Sequence, residues 1–268
     1  MSDRALQTTT DSDDIPPGRY SGWDAISKDA DETPQTLLSH LNELRQRLIR
    51  SVLVLVVGVL LAAFFTGPLL RYLIEPYGKE LQVLGPTESV VMYFRVALLF
   101  GAIMASPFIT YQLFMFVAPG LHRGEKRVIY LSLPATTGLF LFGVVFAWFI
   151  MVPAAFGFLR DFESDVFRSE WTAELYIRFL TSLLFWIGVA FEMPVVIFVL
   201  ARMGVVGPRT LIRNWRLAVV LTTIAAAFIT PTVDPFNMLL VMGPLLGLYV
   251  VSIGLAALAY PRRLKSSQ

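Results

Sequence analysis

The 268-residue sequence contains no cysteine and only two histidines, His40 and His122. Disulfides, thiolate metal sites, iron–sulfur clusters and cysteine nucleophiles are thereby excluded, and a histidine-built metal site has too few ligands. Charge is also scarce. Asp, Glu, Lys and Arg make up 16% of the chain, against about 25% in soluble domains. The formal net charge of +2 is too small to suggest a nucleic-acid partner. No glycine-rich phosphate loop, His-Glu-x-x-His helix or Gly-x-Ser-x-Gly elbow occurs, and no serine or threonine inside a long apolar run has a histidine near enough in sequence to suggest a charge-relay pair. Neither an enzyme nor a cofactor is expected. What remains is a chain that is 56% hydrophobic with a mean hydropathy of +0.64. The apolar residues run in long blocks, as they do in a polytopic membrane protein.

A bilayer core of about 30 Å needs roughly 20 helical residues. Charge-free runs of that order lie at 51–70, 96–122 and 128–159, and 179–201 is apolar except for Glu192. A shorter run at 217–233 and a longer one at 235–261 complete the set. The expectation is an all-α protein of six transmembrane helices, the fifth the shortest. A barrel would show period-2 alternation, which is missing. Pro107, Pro119, Pro134, Pro153, Pro194 and Pro244 fall in or beside these runs. Each removes a helix hydrogen bond, so a kinked, concave bundle is expected. The two longer outer loops, about Gly67–Arg95 and Leu159–Ala173, have room for short helices or ordered caps.

Six spans place both termini on one side. Thirteen Lys and Arg residues flank the spans on that side and six on the other, where eight acids offset them. By the positive-inside rule both ends are cytoplasmic and the protein sits in the cytoplasmic membrane. Residues 1–34 hold eight acids and three bases with few large apolar side chains, which reads as a disordered acidic extension. The domain reading is thus 1–34 extension, 35–262 transmembrane domain and 263–268 basic tail.

Four acids stand out. Glu43 lies in a pre-span segment whose Leu37, Leu41, Leu44 and Leu48 recur at helical spacing, so the first helix begins before the membrane. Glu43 and Arg47 could simply form a helix pair. Glu125 sits in the arginine-rich link between spans two and three and could be an ordinary loop acid. Both nevertheless share one membrane side, where two carboxylates could converge on one cationic ligand. Glu192 stands ten residues before Arg202, about 15 Å deep at 1.5 Å per residue. A carboxylate there costs about 2.5–3.5 kcal/mol and usually faces a bundle interior or a water-filled cavity. Asp234 lies beside Pro235 in a tight link and reads first as a turn residue.

The segments His40-Leu-Asn-Glu-Leu-Arg-Gln-Arg-Leu48, Pro107 to Leu121 followed by Glu125, Phe191-Glu-Met-Pro194 and Thr230-Pro-Thr-Val-Asp234 occur in one order. This ordered set resembles the TatC family, the multi-spanning receptor of the twin-arginine protein translocase. The family often has Ser-Gln where Asn237-Met238 stands here. The resemblance implies a receptor for folded cargo bearing a twin-arginine signal peptide, driven by the proton-motive force. The implied partners are single-span TatA-like and TatB-like proteins, the lipid bilayer and further copies of the chain in a multisubunit complex. It makes Glu43, Glu125, Arg45, Gln112 and Phe116 candidates for signal-peptide binding. Glu192 becomes a candidate intramembrane partner contact, and Asp234, Pro107 and Pro194 structural or partner contacts. Two other classes remain open on the residues alone. A proton-coupled small-molecule transporter using Glu192 predicts repeated halves, and none is visible. A passive scaffold leaves Glu192 unexplained.

Overall fold

The computed structural model describes residues 37–77, 81–117, 126–162, 171–230 and 234–260. Both ends of the chain, including the acidic extension and the basic tail, lie outside the described residues. Two units make up the chain, Met1–Glu43 and Leu44–Gln268. In the first, the described residues 37–43 form the opening turns of helix α1.

Helices account for nearly every described element. They are α1 (Leu37–Ile74), α2 (Glu88–Val117), α3 (Lys126–Phe146), α4 (Val152–Asp161), α5 (Ala173–Arg202), α6 (Pro208–Arg213), α7 (Trp215–Ile229) and α8 (Pro235–Ala259). A π-helical turn, Ala147–Met151, joins α3 to α4, so that the two make one membrane-length rod. With α1, α2, α5 and α8 this gives five helices long and apolar enough to cross a bilayer. The sixth, α7, has 15 residues. Its shortness matches the short charge-free run in the sequence. No strand occurs among the described residues, only an isolated bridge between Gln82 and Thr172.

Two connections, α1 to α2 and α4 to α5, are shorter than the sequence suggested. The first was expected to begin near Gly67, but α1 runs on through Pro68 to Ile74, and α2 already starts at Glu88. Leu69, Leu70, Leu73 and Ile74 pack on the core, which holds the helix together past the proline. The second connection spans 162–172 rather than 159–173. The π-turn was not foreseen either. Pro153 follows it at the start of α4, a position where its missing N–H costs little. The widened turn absorbs the mismatch that the proline would impose on a regular helix.

Helix α5 is the centre of the second unit. It packs against α2, α3 and α8, and Tyr176, Ile177, Leu180, Leu183 and Ile187 along it are almost completely buried. Hydrogen bonds fix its first third. The Tyr176 hydroxyl donates to the Leu73 carbonyl at 2.8 Å, and Ser182 donates to that of Ile229 at 3.1 Å. Helix α1 is the opposite case. Leu53, Leu60, Phe64 and Phe65 are exposed, the surface that lipid must cover.

What holds α1 to α2 is a backbone approach between glycines. A Cβ on Gly58 would lie 2.7 Å from the Gly101 carbonyl oxygen, and one on Gly101 would lie 2.6 Å from the Val59 amide nitrogen. Small residues permit such contact between membrane helices. The Tyr93 hydroxyl adds a hydrogen bond to the Ala63 carbonyl. Gly101→Leu should therefore force the helices apart and cost about 1–3 kcal/mol. Thermal unfolding of the detergent-solubilised chain measures this. Gly247→Ala is the control, since a Cβ there meets nothing within 4 Å. Equal melting temperatures for the two variants would show that the glycine contact is unimportant.

Candidate functional site

Helix α2 carries the buried polar groups that link its neighbours. Thr110 and Gln112 are 4% and 5% exposed, and two residues of helix separate them by about 200°, so they face opposite ways. Gln112 accepts a hydrogen bond from Arg47 Nη1 of α1 at 3.2 Å. Thr110 donates its hydroxyl to Glu192 Oε1 of α5 at 3.0 Å. Buried polar groups in a membrane helix need such partners, because the hydrocarbon offers none.

The backbone is treated the same way. Pro107 has no N–H to give the Ile103 carbonyl, and the Ser106 hydroxyl donates to that carbonyl instead, at 2.9 Å. The proline thus leaves no orphan acceptor one turn before Thr110. Pro194 occupies the corresponding place in α5, two residues after Glu192, and is buried.

Of the candidates for signal binding, the structure brings Gln112 to Arg47. Arg45 stands about 200° around α1 from Arg47 and is exposed. Sequence reasoning chose Arg45 and passed over Arg47; only a neighbouring helix distinguishes the two. Phe116 lies one turn beyond Gln112 on the same side of α2 and is half-buried. Glu43 Oε2 is 3.9 Å from His40 Nδ1, one turn earlier in α1. Glu125 lies outside the described residues.

Asp234 stands apart from this group. Its carboxylate caps α8, accepting from the Asn237 amide at 2.7 Å and from Asn237 Nδ2 at 2.9 Å. Asn237 is fully buried and Met238 packs on the core, so both residues at the departure from the family pattern serve the interior.

The sequence reading overlooked Glu88, which it grouped with the acids of the outer loops. Glu88 opens α2 and is buried. Its Oε2 accepts from the amides of Leu84 at 2.7 Å and Gly85 at 3.1 Å, and its Oε1 from the Glu174 amide at 2.9 Å. Next to it the Ala173 amide donates to the Gln82 carbonyl at 2.8 Å. One carboxylate therefore ties the 84–88 turn to the first turn of α5. The only signal for it was an acid at a helix start, which favours the dipole but says nothing of the second loop.

Residues 39–244 match the family model described as "Sec-independent protein translocase protein (TatC)". The Synechocystis sp. protein of that name is 35% identical over 233 residues, covering 86% of this chain and 91% of its own. The Bacillus subtilis protein named TatCd is 34% identical over 235 residues, covering 88% and 97%. A crystal structure titled as the twin-arginine translocase receptor TatC superposes with a TM-score of 0.75 at 36% identity. It covers 82% of this chain and 99% of that one.

Proposed function

Starting from the fact that this chain belongs to the TatC family, and so is a multi-pass membrane component of a protein translocase and not an enzyme, we propose that it is the subunit that binds twin-arginine signal peptides. The Arg-Arg pair of such a signal presents two guanidinium forks, for which carboxylates are the matching bidentate acceptors. Glu43 and Glu125 are the acceptors, and both belong to segments otherwise rich in arginine. Arg45, Gln112 and Phe116 are the further candidates for the same site. The observation that most supports this reading is the match to the family model over residues 39–244, a stretch that takes in both acids. Membership of the family sets aside the small-molecule transporter.

The same reading places the chain in the cytoplasmic membrane with both termini on the cytoplasmic side. It works there with TatA-like and TatB-like single-span partners and further copies of itself, and the proton-motive force drives export of folded cargo. Glu192, with Thr110 beside it, receives a polar residue from a partner helix or from the inserted signal.

The test is site-specific crosslinking of a twin-arginine signal peptide to the full chain in membranes. Glu43→Ala with Glu125→Ala should cut the yield about a hundredfold. Each lost charge-assisted bond is worth at least about 1.5 kcal/mol, roughly a tenfold change. A twin-lysine peptide should crosslink poorly to the unaltered chain, because a point charge lacks the fork. Undiminished crosslinking in the double variant overturns the assignment.

A further inference from the structure

A cavity of about 370 Å³ lies where the π-turn and α4 pass Pro76, just beyond the end of α1, and the start of α5. Its walls include Trp148, Phe156, Trp171 and Pro76, and its one cation is Arg160. The signal-binding reading makes no use of it. Trp148 and Phe149 belong to the π-turn, a helix irregularity that recurs at functional sites.

The walls are held firmly. Phe156 stacks on Tyr176 at 4.7 Å between centroids and meets Trp171 at the same distance. Trp148 stacks on Tyr72 at 5.2 Å. The Tyr176 hydroxyl is already committed to the Leu73 carbonyl, which leaves Arg160 as the cavity's charged group. Among the described residues Arg160 has no hydrogen-bond or ion-pair partner. Gly157 keeps the space open, since a Cβ there would meet nothing within 4 Å.

Size and depth select the occupant. A helix about 10 Å across fills roughly 420 Å³ in one turn of 5.4 Å, so the cavity holds less than one turn of a partner helix. Trp148 and Arg160 are twelve residues apart, about 18 Å along the rod. The aromatic walls thus reach into the hydrocarbon, while Arg160 stands at the helix end, where headgroups lie.

We infer that this cavity takes one acyl chain of an anionic phospholipid, with the lipid phosphate on the Arg160 guanidinium. The chain supplies apolar filling and the phosphate a charge-assisted bond.

The full chain is reconstituted in phosphatidylcholine nanodiscs containing a small fraction of phosphatidylglycerol with a photoactivatable acyl chain. Adducts are mapped by peptide mass spectrometry. They should concentrate in 148–160. Gly157→Leu, whose Cβ enters open space, should cut them about tenfold at unchanged melting temperature. Arg160→Gln should cut them about tenfold but leave labelling by a phosphatidylcholine probe unchanged. Adducts spread evenly over the lipid-facing side of α1, equal labelling by the two lipids, or indifference to Gly157→Leu would each overturn the assignment. So would a signal peptide that crosslinks in the cavity and displaces the lipid. Signal binding should be normal in both variants, so failure here is distinguishable from failure of the receptor reading.

Discussion

Glu88→Ala should unfasten the 84–88 turn from α5 and lower stability by about 3–5 kcal/mol. Three backbone amides, of Leu84, Gly85 and Glu174, lose one acceptor at once. Hydrogen bonds to a charged group are worth about 1.5–3 kcal/mol each. Sharing one carboxylate makes them non-additive, and the turn regains some water, which keeps the total below the sum. Limited proteolysis of the outer connection and thermal unfolding in detergent both read the loss. Glu88→Gln retains one acceptor oxygen and should lose about half as much. An unaltered melting temperature with a protease-resistant turn in the Ala variant would show that the three bonds contribute nothing.

Glu192→Ala should abolish both export and partner association, the largest functional effect expected of a single substitution in this chain. Glu192 lies near mid-span and accepts from the buried Thr110 hydroxyl. Removing it takes from that hydroxyl its partner on α5 and, on the function proposed above, removes the acceptor for a partner helix, in a medium that supplies no substitute. Glu192→Gln keeps an acceptor oxygen and should preserve association. Its export then separates two roles. Export that survives in Gln assigns hydrogen bonding, and export lost with association intact assigns proton exchange. Crosslinking from position 192 alongside an export assay makes the measurement. Crosslinks to lipid alone, with normal export in the Ala variant, would reduce Glu192 to a structural residue.

The spans were legible because a bilayer imposes a simple rule on sequence. Residues 51–70 carry no charge, and α1 covers them; the leucines from Leu37 to Leu48 gave its early start. Elsewhere the same rule misled. It stopped the first span at Arg71, yet Arg71 is exposed on a helix whose Leu73 is buried. Lysine and arginine positions mark where water is available, not where a helix ends. The site was less legible because partner choice is a tertiary property. Glu192 announced itself by its depth, but nothing in the sequence tied it to Thr110, 82 residues away. Arg45 and Arg47 look alike until α2 lies beside one of them. Glu88 looked like a surface acid until the 84–88 turn and α5 closed around it. The π-turn has no composition of its own, and Pro153 suggested a kink without specifying how it would be absorbed.

The central position of α5 also has a consequence in time. It is the fourth long apolar rod to leave the ribosome, and two of the three long helices packed on it, α2 and α3, precede it. Synthesis runs at about 5–20 residues per second, so the 85 residues from Val117 to Arg202 take roughly 4–17 s. During that interval α2 is already inserted while Glu192, the acceptor for Thr110, and the Glu174 amide that Glu88 receives have yet to emerge or dock. The nascent protein is therefore a set of loosely associated rods that becomes a structure late, when one segment arrives. Ribosome stalling or truncation before Arg202 should leave a membrane-inserted fragment open to quality-control proteases, whereas truncation after it should leave most of the core intact.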